Sequence, residues 1–132
     1  MSSLFSLHPY NSGPGTFRME VRFDPSHAVF AGHFPGQPVV PGVVLVEILT
    51  SAVTEVIGKQ VVLKDASVIK FLQVIDPIAN PTVVLEGTIN EDDAGNFKVD
   101  ATFRQGELLF AKMKGIHYLC LYQTNQLKIY NP

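Results

Sequence analysis

The ten residues His33-Phe34-Pro35-Gly36-Gln37-Pro38-Val39-Val40-Pro41-Gly42 constrain this chain more than any other stretch. Each proline fixes φ and removes a backbone donor. Each also pushes the residue before it towards extended geometry. The two glycines let backbone approach backbone or ligand closely. A connection alone needs no such rigidity. Val43-Val44-Leu45-Val46-Glu47 follows and opens a helix, expected from about Pro41 to Ile57 and stopped by Gly58. Pro41 suits the first helical position, where its missing N–H costs nothing. The amides from Gly42 onward then point unpaired out of the helix N-terminus. Such amides attract an oxygen that is gaining negative charge.

The first turns of this helix are apolar nearly all round, with Val43, Val44, Leu45, Val46, Ile48 and Leu49. β-Branched residues are indifferent helix formers, so packing must hold it. A helix apolar on most sides is expected to be buried on most sides. One polar stripe remains, Glu47, Ser51, Thr54 and Glu55, which puts Glu47 at the inner end of that stripe.

The rest of the pattern is strand. Phe17, Met19, Val21 and Phe23 alternate with Arg18, Glu20 and Arg22. Val61–Leu63 reads as a short pairing segment, and Ala66–Ile75 as a long strand closed by Asp76-Pro77. Pro81–Ile89, Phe97–Arg104 and Leu108–Leu121 follow, with turns at Glu91–Asn96 and Gln105–Glu107. Residues 1–15 form a turn-rich lead-in with room for a short strand, and one helical turn fits between His27 and Gly32. The fold class expected is α+β: long antiparallel strands wrapped around one central helix.

At 132 residues and 46% hydrophobic content, one domain spanning residues 1–132 with a real core is expected. The formal charge of -2, without a run of like charges, points away from nucleic acid and from an anionic membrane surface. No apolar stretch approaches the roughly 20 residues of a membrane span. Met1–Asn11 lacks a basic region followed by an apolar run, so a secretion signal is not expected. The single cysteine, Cys120, agrees with a reducing cytoplasm. Set in Tyr118-Leu119-Cys120-Leu121-Tyr122, it reads as a buried small hydrophobe. No Cys/His spacing suggests a metal. His8, His27 and His117 show no partner pattern.

The run His33-Phe34-Pro35-Gly36-x-Pro38-x-x-Pro41-Gly42-Val43, with Glu47 fourteen residues after the histidine, closely resembles the motif of the 3-hydroxyacyl-[acyl-carrier-protein] dehydratases of the hotdog fold. The resemblance implies a hotdog domain, a homodimer or an assembly of dimers, and sites formed between subunits. It implies dehydration of a 3-hydroxyacyl thioester carried on acyl carrier protein or coenzyme A, with no cofactor. His33 would take the proton at C2, a task that suits a histidine because it titrates near neutrality. Glu47 would protonate the leaving hydroxyl at C3, and the Gly42 amide would hold the enolate-like oxygen. Phe34, Val39, Val40, Pro41, Val43 and Ser51 would bind the substrate. Ser51 stands where the family commonly has a longer glutamine, one turn after the acid. Asp76-Pro77-Ile78-Ala79-Asn80-Pro81 replaces a Pro-Gly-Asp turn. These departures suit a specialised dehydratase, for example one serving a polyene or other secondary lipid pathway.

Two readings of other classes stand beside this one. A hotdog thioesterase would hydrolyse the same thioester with a carboxylate activating water, and it does not need the His33/Glu47 pair. A non-catalytic acyl-binding or carrier-docking subunit would bind without turnover. Acyl carrier protein is acidic, so Lys59, Lys64, Lys70, Arg104, Lys112 and Lys114 are candidates for a docking rim.

Overall fold

In the computed structural model, which describes residues 4–10, 12–31 and 38–120, six strands and two helices follow one another. They are β1 (Phe5–Pro9), β2 (Thr16–Phe23), α1 (Ala28–Ala31), α2 (Gly42–Ile57), β3 (Val61–Phe71), β4 (Thr82–Glu91), β5 (Phe97–Gln105) and β6 (Leu108–Leu119). The strands form one antiparallel sheet in the order β1-β2-β4-β5-β6-β3. β2 and β3, consecutive in sequence, therefore lie far apart in the sheet. The chain crosses between them through α1 and α2.

Strict alternation makes the inner face. Phe17, Met19, Val21 and Phe23 of β2 are buried, as are Val83, Leu85 and Ile89 of β4 and Phe97, Val99, Ala101 and Phe103 of β5. They form one cluster with Val44, Leu45, Ile48, Leu49, Ala52 and Val53 of α2. At roughly 1.5–3 kcal/mol for each large side chain buried, this cluster holds a helix whose β-branched residues would not hold it alone. The sheet curls closely at Gly87, which faces Ala101 across β4 and β5. A Cβ there would run into the Asp100 carbonyl.

The expected α+β arrangement of one long helix on a long antiparallel sheet is present. Four details differ from the sequence reading. Pro41 is the N-cap rather than the first helical residue: its ψ of 147° is extended, so the helix starts at Gly42. The two pieces expected around Val61 and Ala66 are one strand. Register shifts at Leu63/Asp65 and Ala66/Val68 absorb the break in pattern. That strand stops at Phe71, not Ile75, because the amides of Leu72 and Gln73 both turn to the Phe110 carbonyl. Cys120 is half-buried rather than buried, and Leu121 lies outside the described residues. Gly58 ends α2 as expected, with φ 82° and its N–H donating to the Thr54 carbonyl at 2.8 Å.

Candidate active site

Val39, Val40, Pro41 and Gly42 gather where the chain enters α2. The Val40 amide donates to the Ile75 carbonyl at 2.9 Å. That bond ties the segment before the helix to the connection between β3 and β4. Val40 is buried, while Val39 and Pro41 are half-buried. Pro41 carries no side chain to cap the helix. Its carbonyl accepts from the Val44 amide at 3.0 Å and the Leu45 amide at 3.4 Å. Among the described residues, the amides of Gly42 and Val43, the first two of the helix, have no hydrogen-bond partner. They carry the positive end of a sixteen-residue helix dipole.

Space, not backbone conformation, demands glycine at 42. A Cβ there would lie 2.7 Å from Cζ of Phe71 and 3.0 and 3.1 Å from its two ε carbons. The ring thus rests on the helix N-terminus. It forms one wall of an apolar groove of about 480 Å3, with Val39, Val40, Gly42 and Leu45 on one side and Val74 on the other. The contact is not legible in the sequence, where Phe71 falls inside a strand expected to run on to Ile75, because the strand end that brings it there depends on Phe110, far along the chain.

Glu47 lies one residue beyond the first helical turn, about 7.5 Å of helix rise from Gly42. It was expected at the edge of a helix buried on most sides. In the single chain it is exposed, and Val43, one turn earlier on the same face, is 75% exposed. α2 buries one broad side only, because the sheet covers one side only. Ser51, one turn after Glu47, is half-buried. Thr54 is drawn away from the stripe: its hydroxyl oxygen accepts from the Val61 amide at 3.3 Å. The structure thus brings Val39, Val40, Pro41 and Gly42 together around one groove, and sets Val43, Glu47 and Ser51 along the open side of the helix. His33 and Phe34 lie outside the described residues.

His117, passed over in the sequence, is fully buried. Its Nε2 shares a hydrogen bond with the Thr50 hydroxyl at 3.0 Å, across 67 residues of chain. Burial holds its pKa down at about 4, so the ring is neutral near pH 7. The period-2 pattern of β6 carried the signal. Ala111, Met113 and His117 point the same way, into the core. The other two histidines among the described residues have short-range roles: His8 Nε2 pairs with Ser6 Oγ at 2.9 Å, and His27 Nδ1 accepts from the Val29 amide at 3.1 Å.

The ApeI dehydratase family, ApeI-like, matches residues 10–111. The 3-hydroxyacyl-[acyl-carrier-protein] dehydratase FabZ of Caldicellulosiruptor saccharolyticus is 32% identical over 94 residues, covering 62% of this chain and 67% of the relative. FabZ of Rickettsia bellii is 32% identical over 88 residues, covering 60% and 59%. The chain thus spans from about three fifths to two thirds of these relatives' own length. Among solved structures, the dehydratase heterocomplex ApeI:P from Xenorhabdus doucetiae superposes with a TM-score of 0.60 at 18% identity, over 88% of this chain and 98% of that one. At that identity the likeness speaks to fold. The family match covers most of the chain, and this protein therefore belongs to the ApeI-like dehydratases of the hotdog fold.

Proposed function

We propose that this protein removes water from a (3R)-hydroxyacyl thioester on acyl carrier protein to give the trans-2-enoyl thioester, in fatty acid or related polyene and lipid biosynthesis. One observation carries the reading. Gly42 lines an apolar groove at the start of a helix that also presents Glu47, and among the described residues the amides of Gly42 and Val43 have no hydrogen-bond partner. The thioester oxygen gains negative charge as the C2 proton leaves, and free amides at a helix N-terminus stabilise such an oxygen. His33 is the base and Glu47 the acid. The elimination needs no cofactor.

A carboxyl that must donate a proton at neutral pH is helped by removal from water, and in the single chain Glu47 is exposed. The site is therefore completed by a second chain. β3 is an edge strand of eleven residues with a largely exposed run from Lys64 to Phe71, the kind of edge that pairs with another strand. Phe71, Leu72, Val74 and Ile78 beside it are all at least half exposed. A homodimer joined along this edge covers them. The ApeI:P neighbour is itself a heterocomplex, so a chain that stays monomeric alone would take a different subunit in the same place.

The test is product analysis by mass spectrometry with (3R)-hydroxyacyl carrier proteins of several chain lengths. Wild type should yield a product lighter by one water. His33→Ala and Glu47→Gln should each lose about 10²-fold or more of the rate, the scale of a lost general acid or base. Release of free acid would establish a thioesterase instead. Binding without turnover at every chain length would establish an acyl-carrier-binding subunit.

A further inference from the structure

Among the described residues, two side-chain hydrogen bonds join α2 to the sheet. The Thr50 hydroxyl shares one with Nε2 of His117 on β6, at 3.0 Å. The Thr54 hydroxyl accepts the other from the Val61 amide at the start of β3, at 3.3 Å. The buried side chains of the helix, Val44, Leu45, Ile48, Leu49, Ala52 and Val53, are all apolar. Burial of apolar area has no direction of its own, so these contacts set the depth of α2 more than its rotation about its axis. A hydrogen bond has a preferred length and angle. Two of them, one turn apart, resist rotation.

His117 is a costly residue in this place. The ring has no exposed surface, and its Nδ1 is buried without a partner among the described residues. A buried polar atom left unpaired lowers stability, and an apolar side chain of similar volume would avoid that cost. What the ring supplies instead is direction. Burial also keeps it neutral near pH 7, so its bond to Thr50 keeps one character where a base that titrates near neutrality works.

Both threonines lie on the Glu47 side of the helix, three and seven residues after it. A carboxyl group on a helix stands roughly 6 Å from the axis, against about 2.3 Å for a Cα atom. A rotation of about 10° would thus carry the Glu47 carboxyl about 1 Å and the backbone of Gly42 less than about half as far. Glu47 is therefore the group of the proposed site most sensitive to how α2 is turned.

We infer that the Thr50–His117 hydrogen bond, seconded by Thr54 and Val61, sets the rotation of α2 and so aims the Glu47 carboxyl. Thr50 and His117 are then positioning residues for the elimination. The inference rests on the dehydratase reading above. Neither residue is asked to touch the substrate, so loss of the bond slows the chemical step and leaves binding alone.

The experiment compares Thr50→Val, which removes the hydroxyl and keeps the branched shape, with Thr50→Ser, which keeps the hydroxyl. With a (3R)-hydroxyacyl carrier protein, Thr50→Val should lower kcat by about 10-fold to 10²-fold, the scale of a misplacement approaching an ångström, at unchanged KM. Thr50→Ser should restore most of the rate. A saturated acyl carrier protein has no hydroxyl to lose, so exchange of its C2 proton for deuterium from heavy water reads the base without Glu47. That exchange should run in Thr50→Val close to the wild-type rate. A fall of both rates together, in step with the folded fraction, would show a merely structural role and overturn the inference, as would an unchanged kcat. Crystal structures of wild type and Thr50→Val read the helix without substrate. α2 should be turned about its axis in the variant, and an unmoved helix overturns the inference whether or not the protein dehydrates. A turned helix in a protein whose wild type removes no water would instead sink the dehydratase reading and leave the setting of α2 by this pair standing.

Discussion

Gly42→Ala should separate the stability of this protein from its activity. The new methyl would meet the ring of Phe71 at 2.7 Å, too close to be tolerated in place. What it meets is the far end of a side chain that is 53% exposed, not backbone, so the ring can swing aside. Full burial of a phenylalanine is worth roughly 1.5–3 kcal/mol, and displacing a half-buried ring forfeits at most about half of that. Against this, alanine in a helix is favoured over glycine by up to about 1 kcal/mol, and Gly42 does not use a positive φ. The two effects nearly cancel, so urea denaturation should place the variant within about 1 kcal/mol of wild type. Activity has no such compensation. The ring leaves the wall of the groove beside the Gly42 and Val43 amides, and misplacement by an ångström costs on the order of 10²-fold in rate. The expected result is a folded variant with kcat/KM lowered about 10²-fold. Gly42→Ala combined with Phe71→Leu should recover part of that loss, because the smaller side chain makes room for the methyl. A stability loss above about 3 kcal/mol would show that the ring is clamped. Unchanged turnover would refute the placement of the substrate at this groove.

Further outcomes follow from the core, the buried histidine and the open helix face. Phe103→Ala empties a fully buried position on β5 and should cost about 3–5 kcal/mol by chemical denaturation. Burial holds the His117 pKa at about 4, against an ordinary 6.5, so the unfolded chain binds more protons than the folded one in that interval. Stability should be level with respect to this group above pH 6.5, then fall by roughly 3 kcal/mol as pH drops to about 4. His117→Leu should flatten that limb in urea titrations at pH 7, 5.5 and 4. Val43→Asp places an anion at a helix N-terminus, where the dipole favours it, on a side chain that is 75% exposed. It should leave monomer stability within about 0.5 kcal/mol yet abolish the proposed dimer in sedimentation. An intact dimer would show that this face is not covered.

What could be read from the sequence divides by the range of the interaction. The alternation of Phe17, Met19, Val21 and Phe23, and of Phe97, Val99, Ala101 and Phe103, is local, and all eight are buried as the period-2 pattern requires. Gly58 at the helix end is equally local. The end of β3 was misplaced because it is set by the Phe110 carbonyl, nearly forty residues away in the chain. Pro41 was placed one position too far into the helix because φ, which proline fixes, suits the N-cap and the first helical residue alike, and only ψ tells them apart.

Glu47 is the instructive case. Its helix is expected to be buried on most sides, with Glu47 at the inner end of the one polar stripe, yet one chain leaves it exposed with Val43 beside it. A helix rich in valine, isoleucine and leucine on nearly every side carries more apolar surface than a single curled sheet can cover. The surplus lies on the open face of α2 at Val43 and along the β3 edge at Ile69 and Phe71. Hydrophobic periodicity records how much of a helix must be covered, but not whether its own chain or another does the covering. The same surplus that misled the burial expectation is therefore what supports a second subunit over Glu47. In the proposed mechanism, Glu47 becomes a proton donor only when a second subunit excludes water from it. Activity should accordingly track dimer concentration, and a dilution series in which specific activity stays constant below the dissociation midpoint would refute the dependence.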